Sequence, residues 1–198
     1  VLHALGNLDH YRGFAWEGRS HDGYADSIEC AINLYNRERV PGVEEWIDSQ
    51  MRIMLAMQQA DGIIGGWHGD GNFARTATMY ALMKQQGVTI RPWREDVRLG
   101  CSIDEAGRLR VRLSAEKPWS GKLIFDQPRH KTVMHMPVDY PRINQFPEWF
   151  TVEKGKKYRV VSAEDGVADP LDGEKLVGGY LVELGGGEEA FIFVEPLE

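Results

Sequence analysis

The sequence predicts an α+β fold in which helices come first and strands follow. Three observations carry this. Between residues 24 and 87, apolar residues recur at helical spacing in three runs bounded by glycine or proline. Beyond residue 97 the spacing changes to alternation, in short runs separated by turn signals such as DEAG, EKGK and LGGG. The 198 residues are 42% apolar and 27% charged, enough to bury a core in one large domain or two small ones.

Residues 1–23 have no sustained period. They scatter Tyr11, Phe14, Trp16, Glu17, His21 and Asp22 among glycines, and a loop of this length points to function. The first helix is expected over residues 24–36. Its apolar positions cover most of the circumference, leaving Asp26, Glu29 and Asn33 as one polar stripe. RERVPG ends it at Pro41. The second helix, residues 43–59, is amphipathic: Val43, Trp46, Ile47, Met51, Met54 and Leu55 oppose Glu45, Asp48, Ser49 and Arg52. A glycine-rich loop follows, carrying Trp67, His68 and Asp70. The third helix starts at Asn72, a good N-cap, stops at Gly87 and is apolar nearly all round.

Long loop, buried helix, short link, amphipathic helix, long loop, buried helix is the alternation of inner and outer helices in an α/α toroid. There the loops entering the inner ring gather at one end as a pocket. Three helices cannot close such a ring, and the chain begins at Val1. The expectation is a piece of a longer protein, completed by a missing N-terminal part or by another subunit. Residues 1–90 are therefore assigned to the last helices of an α/α toroid, and residues 91–198 to a C-terminal antiparallel β-sandwich. Strands are expected at 97–103, 109–113, 122–125, 149–152, 158–162, 176–184 and 190–194, with 88–96 as connector. Pro137, Pro141 and Pro147 make 129–148 a long excursion rather than a central strand.

A net charge of −7 and a pI near 5.4 argue against a nucleic-acid partner. No run approaches the length of a membrane span. Cys30 and Cys101 form neither a disulfide framework nor a metal signature, and no phosphate-cradling glycine motif precedes a helix. No metal and no cofactor are expected. Localisation is open: periplasmic or secreted if a signal peptide precedes Val1, cytoplasmic otherwise.

The segments DGYADSIECAINLYN and DGIIGGWHGDGNFARTATMYALMKQQG, followed by strands containing GKLIFDQPR and FPEWFTVEKGKKYRV, give the chain an architecture that resembles the tail of carbohydrate-active α/α-toroid enzymes. Six-hairpin glycosidases and several polysaccharide lyases share that plan. The resemblance implies glycan chemistry on an oligo- or polysaccharide substrate.

The candidate site gathers residues of both long loops and of the helices they enter. Sugar rings stack their C–H faces on aromatic planes, which nominates Trp16 and Trp67; alternatively, each tryptophan pins its own loop. Glu17 with Asp22 or Asp26 supplies the two carboxylates that most glycoside hydrolysis uses, with Glu17 and Asp26 as acid and base. Burial raises a carboxyl pKa towards the working range, whereas a helix N-terminus favours the ionised form. A lyase would use His21 or His68 as base and Arg75 or Asn72 to neutralise a uronate carboxylate. Asp22, Asp70, Asn72 and Arg75 are substrate-binding candidates. In the structural alternative the acidic stripe pairs with Arg75 or Arg37. Hydrolase, lyase and non-catalytic glycan-binding module all stay open, and residues 97–198, Glu148 included, are expected to carry no chemistry.

Overall fold

The computed structural model describes residues 6–64, 71–141, 146–162, 166–167 and 170–197. It divides into two compact units, Val1–Ala81 with Pro141–Pro147, and Leu82–Tyr140 with Glu148–Glu198. No helix among the described residues is long and apolar enough to cross a membrane.

The first unit is helical. A short helix α1 (Leu8–Arg12) and a 3₁₀ turn (Trp16–Gly18) precede α2 (His21–Arg37). The α2 helix starts three residues earlier than its apolar period suggests, because Ser20 caps it by accepting the Gly23 N–H at 2.9 Å. Helix α3 (Val43–Leu55) buries Val43, Trp46, Ile47, Met51 and Met54 as its stripe predicts. It ends four residues early, and Leu55 is exposed. Helix α4 (Asn72–Gln85) follows, with its last residues in the second unit.

The toroid expectation is overturned here. An inner toroid helix is covered on all sides, but α2 and α4 each bury one face. In α2 that face is Tyr24, Ala25, Ile28 and Ile32; in α4 it is Thr76, Met79 and Met83. Ala74, Thr78 and Ala81 of α4 are exposed. Alanine and threonine tolerate either environment, so a run that looks apolar all round is an ordinary one-sided helix. The described residues contain six helices, three of them five residues or shorter, and no ring of inner and outer pairs.

The second unit is built from two antiparallel sheets. The first has three strands: β1 (Val88–Arg91), β4 (Trp119–Phe125) and β8 (Tyr180–Leu184), in the order β1-β4-β8. The second has six: β2 (Val97–Ile103), β3 (Leu109–Ala115), β5 (Lys157–Ser162), β6 (Gly166–Val167), β7 (Leu171–Asp172) and β9 (Glu189–Pro196). Their order is β2-β3-β9-β5-β6, with β7 also on β5. Register sets apolar residues opposite one another, as in Leu99↔Leu113, Val111↔Ile192 and Val160↔Val194. Alternate residues of both sheets point into one core, where Leu109, Leu113, Leu123, Val160 and Val194 have no exposed surface. Each such side chain contributes about 1.5–3 kcal/mol by leaving water.

Three segments differ from the sequence expectation. Residues 88–91, read as connector, are a strand whose Val88 and Ile90 are buried against β4. The run 176–184 is two elements, because α6 (Gly173–Val177) stops at Gly178 and Gly179, and Gly179 has φ +96°. Gly173 lies so close to Glu153 that a Cβ would meet its carbonyl oxygen at 2.0 Å. Residues 149–152 form no strand beyond a bridge from Thr151 to Asp126. The 129–148 excursion opens with a single turn, α5 (Arg129–Thr132).

Candidate functional site

Four of the described candidates, Asp22, Asp26, Asn72 and Arg75, meet along the first turns of α2, whereas Trp16 packs in a separate aromatic cluster. Asp22 and Asp26 lie one turn apart on that helix, and Glu29 lies a further turn on. From α4, Asn72 Nδ2 donates a hydrogen bond to Asp22 Oδ1, across 50 positions of sequence. Arg75 Nη2 approaches Glu29 Oε2 to 2.5 Å, with the two side chains 20% and 13% exposed. The Glu29 oxygen accepts no well-aligned hydrogen bond, so the contact is chiefly coulombic. Thr76 Oγ1 donates to the Ala25 carbonyl at 3.2 Å and is fully buried. Asn33, the last member of the stripe, turns back on its own helix and donates to the Glu29 carbonyl at 3.1 Å.

Asp26 is the exposed member of this group. Its carboxyl is raised above the usual range, first by partial burial and then by the neighbouring Asp22 and Glu29; Arg75 opposes the shift and Glu17 adds to it. Asp22 sits in the first helical turn, where its carboxylate accepts the Asn72 amide. The arrangement juxtaposes one carboxyl whose pKa is raised with another that accepts an amide.

The lead-in to α2 is tightly folded. Glu17 has φ +46° within the 3₁₀ turn and accepts the Ser20 hydroxyl at 3.0 Å. Gly23 is required beneath it, since a Cβ there would come within 2.9 Å of Glu17 Cγ and 3.0 Å of the Trp16 carbonyl carbon. Trp16 donates from Nε1 to Gln50 Oε1 at 3.2 Å. Its ring stacks on Tyr11 at 5.7 Å and meets Phe14 and Trp46 edge-on. Gln50 is fully buried and also donates to the Arg12 carbonyl at 3.1 Å. His21 is the first residue of α2 and half-buried. Trp67, His68 and Asp70 lie outside the described residues. Among the described residues no three or more His, Cys, Asp or Glu side chains are grouped so as to hold a metal ion.

One buried polar group has no signal in the sequence. In the second unit, both oxygens of the Glu148 carboxylate accept from His130. The backbone N–H donates at 2.6 Å, and Nδ1 lies 2.7 Å from the other oxygen. Asp139 accepts the Glu148 N–H at 3.2 Å, and Asp126 forms an ion pair with Arg129 at 3.0 Å. Burial leads the rise in the Asp126 carboxyl, with Arg129 opposing. This network stitches the excursion to the sheets. His130 and Glu148 are 18 residues apart in a segment without periodicity, so no spacing rule pairs them.

The resemblance to α/α-toroid carbohydrate enzymes does not hold: the described residues form two antiparallel sheets with a small helical part, and no toroid is evident among them. No protein-family model, curated protein or solved structure matches the chain.

Proposed function

We propose that this chain is a glycan-degrading enzyme, a glycoside hydrolase whose acid and carboxylate partner are Asp26 and Asp22. The observation that carries the reading is the unequal pair on one face of α2: Asp26 is raised by burial and by its acidic neighbours, and Asp22 is held by Asn72. Glycosidic cleavage uses two neighbouring carboxyls in different roles, one giving a proton and the other acting as the carboxylate.

Residues four apart on a helix have Cβ atoms about 5–6 Å apart. In a retaining mechanism, whose carboxyls stand about 5–5.5 Å apart, one acts as acid and the other as nucleophile. Asp26 then protonates the glycosidic oxygen as the bond to the anomeric carbon breaks, and Asp22 attacks that carbon. Water, losing its proton to Asp26, releases the sugar and restores both groups. Glu17, committed to Ser20 and the turn, raises Asp26 only weakly and is a positioning residue in this scheme. Phe14, 41% exposed beside Trp16, offers an aromatic face to a sugar. A lyase draws less support, because the guanidinium of Arg75 that would neutralise a uronate lies against Glu29.

Incubation with a panel of neutral and uronate-containing polysaccharides tests the class. New reducing ends without ultraviolet absorbance from an unsaturated sugar are expected. An unsaturated product would replace this reading with the lyase, and no product from any polymer would remove it.

A further inference from the structure

The outer face of the six-stranded sheet carries features that the buried core does not need. Phe191 and Phe193 on β9 point outward side by side, 44% and 37% exposed. Register sets Gly100, Arg112 and Phe191 in one row across β2, β3 and β9. Gly100 leaves a gap in that row: a Cβ built there meets nothing within 4 Å, and its φ is not in the left-handed region. The gap opens into a shallow depression of about 420 Å³ lined by Arg98, Leu99, Gly100, Arg112, Ser114 and Glu189. That volume falls within the range of small-molecule sites, about 300–1,000 Å³.

The chemistry of this depression selects its occupant. Arg112 stands over Phe191, Cζ 5.7 Å from the ring centroid, and grips Glu189 through Nε and Nη2 at 2.8–3.2 Å. Arg98 reaches Glu116 at 3.3 Å, Arg110 reaches Asp104 at 3.2 Å and Arg159 reaches Glu195 at 3.0 Å. A phosphate or uronate would have to displace these carboxylates, and it would approach a chain of net charge −7. A neutral polyol has neither difficulty. The planar Arg112–Glu189 pair sets donors beside acceptors, as adjacent hydroxyls require, and the exposed phenyl ring takes the C–H face of a sugar.

The geometry points to a binding site for a neutral oligosaccharide chain on this sheet face, lodged in the Gly100 depression and stacked on Phe191. It goes beyond the hydrolytic reading and rests on none of the residues of the helical site.

Native affinity electrophoresis of the full chain tests it, with xyloglucan, galactomannan, mixed-linkage β-glucan and arabinan as neutral probes and polygalacturonate as the polyanion. Retardation by at least one neutral polymer is expected. It should weaken by about tenfold or more in Gly100→Leu, which fills the depression, and in Phe191→Ala, which removes the stacking face. Thermal melting reports whether each variant is folded; should Gly100→Leu fail to fold, Phe191→Ala decides alone. Three results overturn the site: no retardation by any neutral polymer, retardation by polygalacturonate only, or undiminished retardation in the folded variants. Failure of hydrolysis with binding intact counts against the helical site alone.

Discussion

Asn72 donates its side-chain amide to the carboxylate of Asp22, joining the start of α4 to the start of α2. A charge-assisted bond of this kind is worth about 1.5–3 kcal/mol. If Asp22 acts in the transition state, Asn72→Ala should lower kcat by about one to two orders of magnitude with a smaller effect on KM. Steady-state kinetics on the cleaved glycan measure this. An unchanged kcat would make Asn72 a helix tether and nothing more.

Asp26 makes a prediction about stability that runs against intuition. Its carboxyl is raised in the folded chain above the model-peptide value of 3.8. Between 3.8 and the raised folded value the native state therefore binds more protons than the unfolded state, so stability falls as pH rises through that window. Asp26→Asn should raise the melting temperature at pH 7, and the gain should disappear below pH 3.8. Thermal melts across that range give the sign; a lower melting temperature at pH 7 would contradict it.

Gln50 organises the lead-in to α2 from inside the first unit. Replacing it with alanine strands the Trp16 indole N–H and the Arg12 carbonyl. The cost expected in urea unfolding is about 2–4 kcal/mol, from unmet hydrogen bonds and a cavity together. A loss under ~0.5 kcal/mol would mean that the aromatic cluster holds without it.

Glu148 is a structural carboxylate on this account. Glu148→Gln keeps one acceptor oxygen but replaces the other of the two that face His130, and should cost about 1–3 kcal/mol. Glycan turnover should stay within a few-fold of the parent. A collapse in turnover with the fold intact would move the chemistry into the second unit.

The strands were legible where alternation was strong. Val97–Ile103 is read to the residue, and the β3, β5 and β9 strands to within two residues at either end. The misreadings have physical causes. Gly178 and Gly179 break a run whose hydrophobicity alone looks continuous, and Val88–Arg91 was too short to register as alternation. The toroid rests on α2 and α4 both looking apolar round most of their circumference, and alanine carries no information about facing. At the site, the acidic stripe is visible from spacing, and the pairing of its Glu29 with Arg75 is among the structural readings it allows. The bond from Asn72 to Asp22 was not, because a contact between residues 50 apart depends on packing that no local pattern encodes.

The central claim is that Asp26 delivers the proton in glycosidic cleavage. The most direct test compares the wild-type chain with Asp26→Asn on the same glycan, counting new reducing ends at a pH where both are folded. The account predicts a fall in turnover of several orders of magnitude with KM nearly unchanged. Turnover within a few-fold of wild type in the folded variant would contradict it.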